Sequence, residues 1–376
     1  MRFGGFSTRA KRLLAGLAVI GTGFAAAASH GQAAGETASS TLSMTPVSGK
    51  LFRDLAVPVN WQVGIEITAP YPASPKVAPM KEIHASLPRD MSFNPDPGME
   101  VCPDSKIGPE TDLSVPPESA IALCPDSVLG NGTAEHYIGG TNNPGGPTLR
   151  DAAVIIFNGG KTPGGLPRIK IYGYSAGAGA GIYMEGVLKN GHLRVSLPVL
   201  PFDSATGRFD LSIPGTTNSH ADRRGLDPSY VRSTCSTGKW QAQVDFLLGP
   251  RDTLGNASGP ESTVFAPPLT IACAGLPGKV RLSKLTVKGP AAVRSGSKVT
   301  YRVKIANSGT AAARGVEVAA SGGAKGTVAA GVLAPKATRT AKMKVRFARP
   351  GIAKVKFRVK ARGVKPRIVT KSVRVR

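Results

Sequence analysis

The chain has 376 residues, with 48 Lys and Arg against 23 Asp and Glu, for a formal net charge of +25. Gly and Pro supply 46 and 31 residues and aromatics only 6%, which argues against long helices and for many short strands joined by turns. The length allows two domains with separate cores.

The N-terminus carries Arg2, Arg9, Lys11 and Arg12, then an apolar run from Leu13 to Ala28, then small residues to Ala34. This order predicts an export signal over 1–33, cut after Ala28 or Ala33, and a flexible segment over 34–41. The run is short for a spanning helix and nothing later matches it. No cysteine lies near the cleavage region, and the end at Ser372 to Arg376 has neither a sorting motif nor an apolar tail. The expectation is a secreted, extracellular protein, free or wall-associated, with no transmembrane anchor after cleavage.

From Thr41 to Pro97, strand-like runs such as Val57 to Val63 and Ile83 to Leu87 alternate with Pro-rich turns. Trp61 is the candidate buried aromatic, and Pro70, Pro72, Pro75 and Pro79 exclude a helix in their connection. A repeated word follows, Cys-Pro-Asp-Ser-Lys-Ile-Gly at Cys102 to Gly108 and Cys-Pro-Asp-Ser-Val-Leu-Gly at Cys124 to Gly130. It reads as two stapled turns, each ended by a glycine at positive φ. A calcium site from Asp104, Glu110 and Asp126 lacks any known loop spacing.

In an exported chain the four cysteines, Cys102, Cys124, Cys235 and Cys273, imply two disulfides. Three pairings are possible; Cys102–Cys124 and Cys235–Cys273 are favoured because each closes a loop within one region. No Cys-x-x-Cys exists and the five His are scattered, so no metal or other cofactor is expected.

Asp151 to Gly249 reads as strand after strand. Ala153 to Phe157 is a near-continuous apolar run fitting a central strand. Asn190-Gly191 is a strong hairpin signal between Val187 and Val195. Trp240, Val244, Phe246 and Leu248 share one face of a further strand. Leu87 to Pro95, Cys124 to Ala134, and Tyr230 to Cys235 with Gly238-Lys239-Trp240 together resemble a family of secreted, uncharacterised bacterial proteins of high-GC lineages. The resemblance covers Leu42 to Ala274 and implies an exported β-rich domain without supplying a catalytic residue.

A linker at 275–278 separates this from a very different composition. From Lys279 onward there are 26 Lys and Arg and one acid, Glu317, whereas the preceding 278 residues hold 22 basic and 22 acidic groups. The late runs alternate with period two, placing Lys298, Arg302 and Lys304, then Lys342, Lys344 and Arg346, then Lys354, Lys356, Arg358 and Lys360 outward. About seven short strands in 279–376 match an immunoglobulin-like sandwich. Val303 to Val316, with Asn307-Ser308-Gly309, and then Leu333 to Thr338 resemble the CARDB family, a bacterial adhesion-type module. That resemblance implies extracellular presentation or attachment. Cations at every second residue on neighbouring strands predict one continuous positive face that would attract anionic cell-wall or extracellular polymers. Few aromatics are available to stack bases, so dedicated nucleic-acid recognition is not expected.

Gly173-Tyr174-Ser175-Ala176-Gly177 matches a nucleophile elbow, and His220 with Asp203 or Asp210 would complete a triad. The elbow needs a helix after the serine, and Ala178-Gly179-Ala180-Gly181 is a poor helix former. Gly177-x-Gly179-x-Gly181 also lacks the helix a phosphate loop needs. The reading is therefore all-β: a disulfide-stapled β-sandwich over 42–274 and a smaller basic immunoglobulin-like sandwich over 279–376, with an adhesion or binding role and no catalytic residue. The alternative is a secreted serine esterase or carbohydrate-active enzyme with an accessory binding module.

Overall fold

The computed structural model describes residues 35–70, 74, 77–95, 100–111, 114–137, 148–198, 205–215, 229–250 and 257–376. The expected export signal over 1–33 lies outside them, as do His220 and Asp203. Among the described residues no helix is long and apolar enough to cross a membrane.

The chain is almost entirely β. Up to the basic stretch the strands are β1 (Thr37–Pro46), β2 (Leu51–Phe52), β3 (Val57–Thr68), β4 (Met80–Ser86), β5 (Met91–Phe93), β6 (Val128–Tyr137), β7 (Leu149–Lys161) and β8 (Pro167–Ser175). They continue as β9 (Ala180–Lys189), β10 (His192–Ser196), β11 (Ala205–Ile213), β12 (Val231–Ser233), β13 (Lys239–Leu248), β14 (Ser262–Phe265), β15 (Leu269–Ala272) and β16 (Gly275–Leu276). One short helix, α1 (Pro117–Leu123), begins on a proline whose missing N–H is no loss in a first turn.

Fourteen of these strands form one sheet in the order β14-β13-β4-β10-β9-β8-β7-β6-β11-β3-β12-β5, with β1 on β3 and β15 on β13. The sheet curls until β1 packs against β13, β14 and β15. Its two layers are thus halves of one sheet. Its concave face gathers Trp61, Ile83, Ile169, Phe209 and Val244 into one core. The β9–β10 hairpin turns on Asn190 and Gly191, both at positive φ, as their sequence predicted.

The repeated word builds a second layer. Cys102 bonds Cys124 and Cys235 bonds Cys273, the favoured pairing. The stapled segment sets Cys102, Ile107, Ala120 and Cys124 over Ile155, Phe157 and Tyr172 on the outer side of β7 and β8. That cover explains the unbroken apolar run in β7, which is buried on both faces. The repeat glycines differ from expectation, since neither Gly108 nor Gly130 has a positive φ. A Cβ on Gly108 would meet Asp104 O at 2.4 Å, and one on Gly130 would meet Ser212 O at 1.9 Å. Close backbone approach, not turn conformation, demands glycine there.

The basic stretch holds β17 (Leu282–Lys288), β18 (Ala292–Val293), β19 (Lys298–Asn307), β20 (Ala313–Gly322), β21 (Gly326–Leu333), β22 (Thr338–Arg346), β23 (Gly351–Ala361) and β24 (Val364–Val375). They form sheets β17-β19-β22 and β18-β24-β23-β20-β21, with β18 parallel to β24. Alternation in both sheets sends Tyr301, Val303, Met343, Val355 and Phe357 into a core of their own, an immunoglobulin-like sandwich of eight strands.

Candidate functional site

The ten cations chosen from the sequence are all exposed, and period two fixes that: their alternate neighbours fill the core. Strand pairing divides them. Lys298, Arg302, Lys304, Lys342, Lys344 and Arg346 lie on the three-stranded sheet, whereas Lys354, Lys356, Arg358 and Lys360 lie on β23 of the other sheet. The two sets occupy opposite outer faces of the sandwich, which corrects the expectation of one continuous face. The reason is the crossover from β22 to β23, which changes sheets without changing the alternation.

On the three-stranded sheet the register stacks like charges. Lys298 stands opposite Arg346, Arg302 opposite Lys342, and Lys288 of β17 opposite Arg302 on its other side. Lys284 and Lys288 complete a face of eight cations. They were missed in the sequence although Lys284, Thr286 and Lys288 keep the same period. Glu317, the one acid of this stretch, pairs with Lys360 at 3.2 Å in the other sheet. Alternate residues along a strand are ~6.8 Å apart and strands ~4.8 Å apart, so neighbouring charges fall within a Debye length of ~8 Å at physiological salt. Their fields add, and like charges directly opposite destabilise the free sheet.

The Ser175 motif has a different role. Ser175 ends β8 and opens the hairpin into β9, so a strand follows where a nucleophile elbow requires a helix. Its hydroxyl, 6% exposed, donates to Asp151 Oδ1 at 2.8 Å and accepts from Ala178 N–H at 3.1 Å. Asp151 also accepts from Gly177 N–H at 2.7 Å. These donors, the Gly177 N–H foremost, hold the Asp151 carboxyl below its ordinary range. The cluster fastens a turn. Asp210 is engaged by Arg208 at 2.6 Å. Asp104, weighed as a calcium ligand, faces cations instead: Arg168 lies at 3.0 Å and Lys170, fully buried, donates to it.

A further polar cluster spans the outer face of β13, β4 and β10. Register places Asp245, His84 and Arg194 side by side. His84 bonds Asp245 Oδ1 through Nδ1 at 2.9 Å and Glu82 Oε2 through Nε2 at 2.8 Å. Arg194 Nε donates to Glu82 Oε2 at 2.8 Å, and Ser86 Oγ meets His192 Nδ1 at 3.0 Å. Glu82-x-His84-x-Ser86 is visible as a period-two word, but its partners come from strands more than 100 residues away. Every polar group of Glu82 and His84 is taken by this network, which leaves the pair a cross-strand clamp.

No family model matches this chain, and no curated protein does. Among solved structures, that of red sea bream transglutaminase aligns with 90% of this chain and 31% of its own length, at 10% identity and a TM-score of 0.23. At that score the likeness carries no argument for fold or activity. The chain spans about a third of that structure.

The His84 clamp makes stability depend on pH. Burial opposes the imidazolium, but hydrogen bonds to Glu82 and Asp245 outweigh it and raise the His84 pKa above its ordinary 6.5. The Arg194 hydrogen bond leads in lowering Glu82 below its ordinary 4.5, against burial and with help from His84. The histidine therefore contributes fully below pH 6.5, and that contribution fades as pH rises through its folded value. The glutamate contributes above pH 4.5 and loses this as pH falls through its own. The clamp acts most strongly between those two values. Thermal melts from about pH 5 to about pH 9 should show His84→Gln flattening the decline on the alkaline side. An unchanged profile would remove His84 from this role.

Proposed function

We propose that the chain is a non-catalytic exported protein whose C-terminal sandwich attaches to anionic envelope or matrix polymer and presents the disulfide-stapled N-terminal sheet. The observation that carries this reading is the eight-cation face of β17, β19 and β22, which holds no acid and sets like charges opposite one another. An anionic polymer laid across it would relieve that repulsion and release its own counterions. Modest net charge suffices for solubility, and this face far exceeds it. Two disulfides suit the oxidising exterior where such polymers lie.

The test is co-sedimentation of the full chain with purified cell walls and with long-chain polyphosphate at rising salt. Exchanging Lys298, Arg302, Lys342 and Arg346 for glutamine should lower the slope of log affinity against log salt by about 3 and weaken binding steeply. The same exchange at Lys354, Lys356 and Arg358 should matter less, because β24 sets Ser372, Thr370 and Ile368 opposite them. Equal losses from both sets, or binding indifferent to salt, would reject the three-stranded face as the contact.

A further inference from the structure

The cations of the three-stranded sheet continue around one corner of the C-terminal sandwich. Lys325 pairs with Arg346 through an isolated antiparallel bridge, and Arg346 stands opposite Lys298 on its other side. Residues directly opposite one another share a face, so Lys298, Arg346 and Lys325 form a row with ~4.8 Å between strands. The corner is tight because Gly326 has no side chain: a Cβ there would lie 2.5 Å from Lys344 O.

The row ends in a pocket of about 650 Å³, whose walls include Lys325, Arg346, Arg349, Pro350 and Ile352 and no acid. Among the described residues the three cationic side chains make no ion pair and no side-chain hydrogen bond. Ile352 is 74% exposed. Unpaired charges of one sign around a concavity focus their field on it. Guanidinium groups grip phosphate oxygens in pairs, and a lysine adds a point charge. A phosphate monoester brings three acceptor oxygens and up to two negative charges, where a diester or a carboxylate brings one charge. A bare phosphate ion would leave Ile352 and Pro350 uncovered.

We propose that this pocket seats the terminal phosphate monoester of an anionic polymer, with the aliphatic carbon that carries the phosphate lying on Ile352. The proposal rests on reading the neighbouring face as the polymer's contact and adds a site for the chain's end. From the pocket the polymer runs past Lys298 onto the face of β19.

The probe is n-butyl phosphate, titrated calorimetrically into the full chain at physiological salt. One saturable site is expected, and Lys325→Gln combined with Arg349→Gln should weaken it at least about tenfold. Both side chains are exposed, so the fold does not depend on them. Arg314→Gln lies at the far end of β20 from Gly322 of the pocket wall and should weaken binding less than about twofold. Dibutyl phosphate, with more carbon but one charge, should bind at least about tenfold more weakly than the monoester. Absence of a saturable site overturns the proposal, as do equal affinities for the two phosphates or equal losses in the two variants. Failure of the attachment reading looks different: n-butyl phosphate bound by a chain that does not sediment with cell walls rejects attachment and upholds the pocket.

Discussion

Asn307→Ala is expected to destabilise the C-terminal sandwich by about 3–5 kcal/mol, because one buried amide serves five backbone groups. Its Nδ2 donates to the carbonyls of Ala311, Leu333 and Ala334 at 2.8, 3.2 and 3.1 Å. Its Oδ1 accepts from Arg281 N–H at 3.2 Å and Gly309 N–H at 3.0 Å. Asn307 is 1% exposed, so alanine strands several of these groups away from water. Each buried orphan costs about 1–3 kcal/mol, and those nearer the surface recover part of it by hydration. Ser308→Ala is the control, since its hydroxyl makes one exposed bond of 3.3 Å to Arg281 O and should cost under about 0.5 kcal/mol. Urea unfolding of the two variants decides the matter. Equal midpoints would mean that the amide is no node of the fold.

The second large effect is expected at Asp104. Lys170 is fully buried, and its ammonium rests on Asp104 and on Ile107 O. Burial pushes the lysine pKa down, while Lys170 and then Arg168 hold the Asp104 carboxyl below its usual range. Asp104→Ala leaves a buried cation with a single carbonyl. The cost should reach about 2–3 kcal/mol, less than the ~3–5 for a fully buried pair because the carboxylate is half exposed. Adding Lys170→Met should restore much of the loss, since the unpaired charge goes with it and the stem volume stays. Urea midpoints measured with the disulfides intact give the comparison. A double variant no more stable than Asp104→Ala would show that the ammonium is not what is penalised.

These two sites mark where sequence reading stops. Asn307-Ser308-Gly309 reads locally as a turn, and it is one: the Asn307 carbonyl oxygen of the side chain accepts from Gly309 N–H. What makes the asparagine indispensable arrives from Arg281 and Leu333, each 26 residues away. Gly309 is bound by the same fold, since a Cβ there would lie 2.1 Å from Lys279 O. The repeated word likewise announced its disulfide, whereas the partnership of Asp104 with β8 required knowing which strand lies beneath the stapled segment. The repeated word predicts a positive φ at Gly108 and Gly130, whereas close approach of the Asp104 and Ser212 backbone is what requires glycine there. Steric demand from distant backbone leaves no mark that distinguishes it from a positive φ.

Properties that depend on neighbours along the chain were determined by the sequence itself. Period-two alternation settles all-β structure, the direction in which Lys298 or Lys356 points, and the burial of Val303 or Phe357, because successive side chains of a strand take opposite faces. The hairpin at Asn190-Gly191 follows for a similar reason, as only a few residue types adopt its dihedral angles easily. Tertiary structure alone decided which strands lie side by side. It split the cations between two faces, gathered eight of them on one, joined His84 to Asp245, and closed a sheet around Trp61. Pairing between distant strands is selected by the whole balance of burial, register and chain connection, and no local stretch of residues contains that balance.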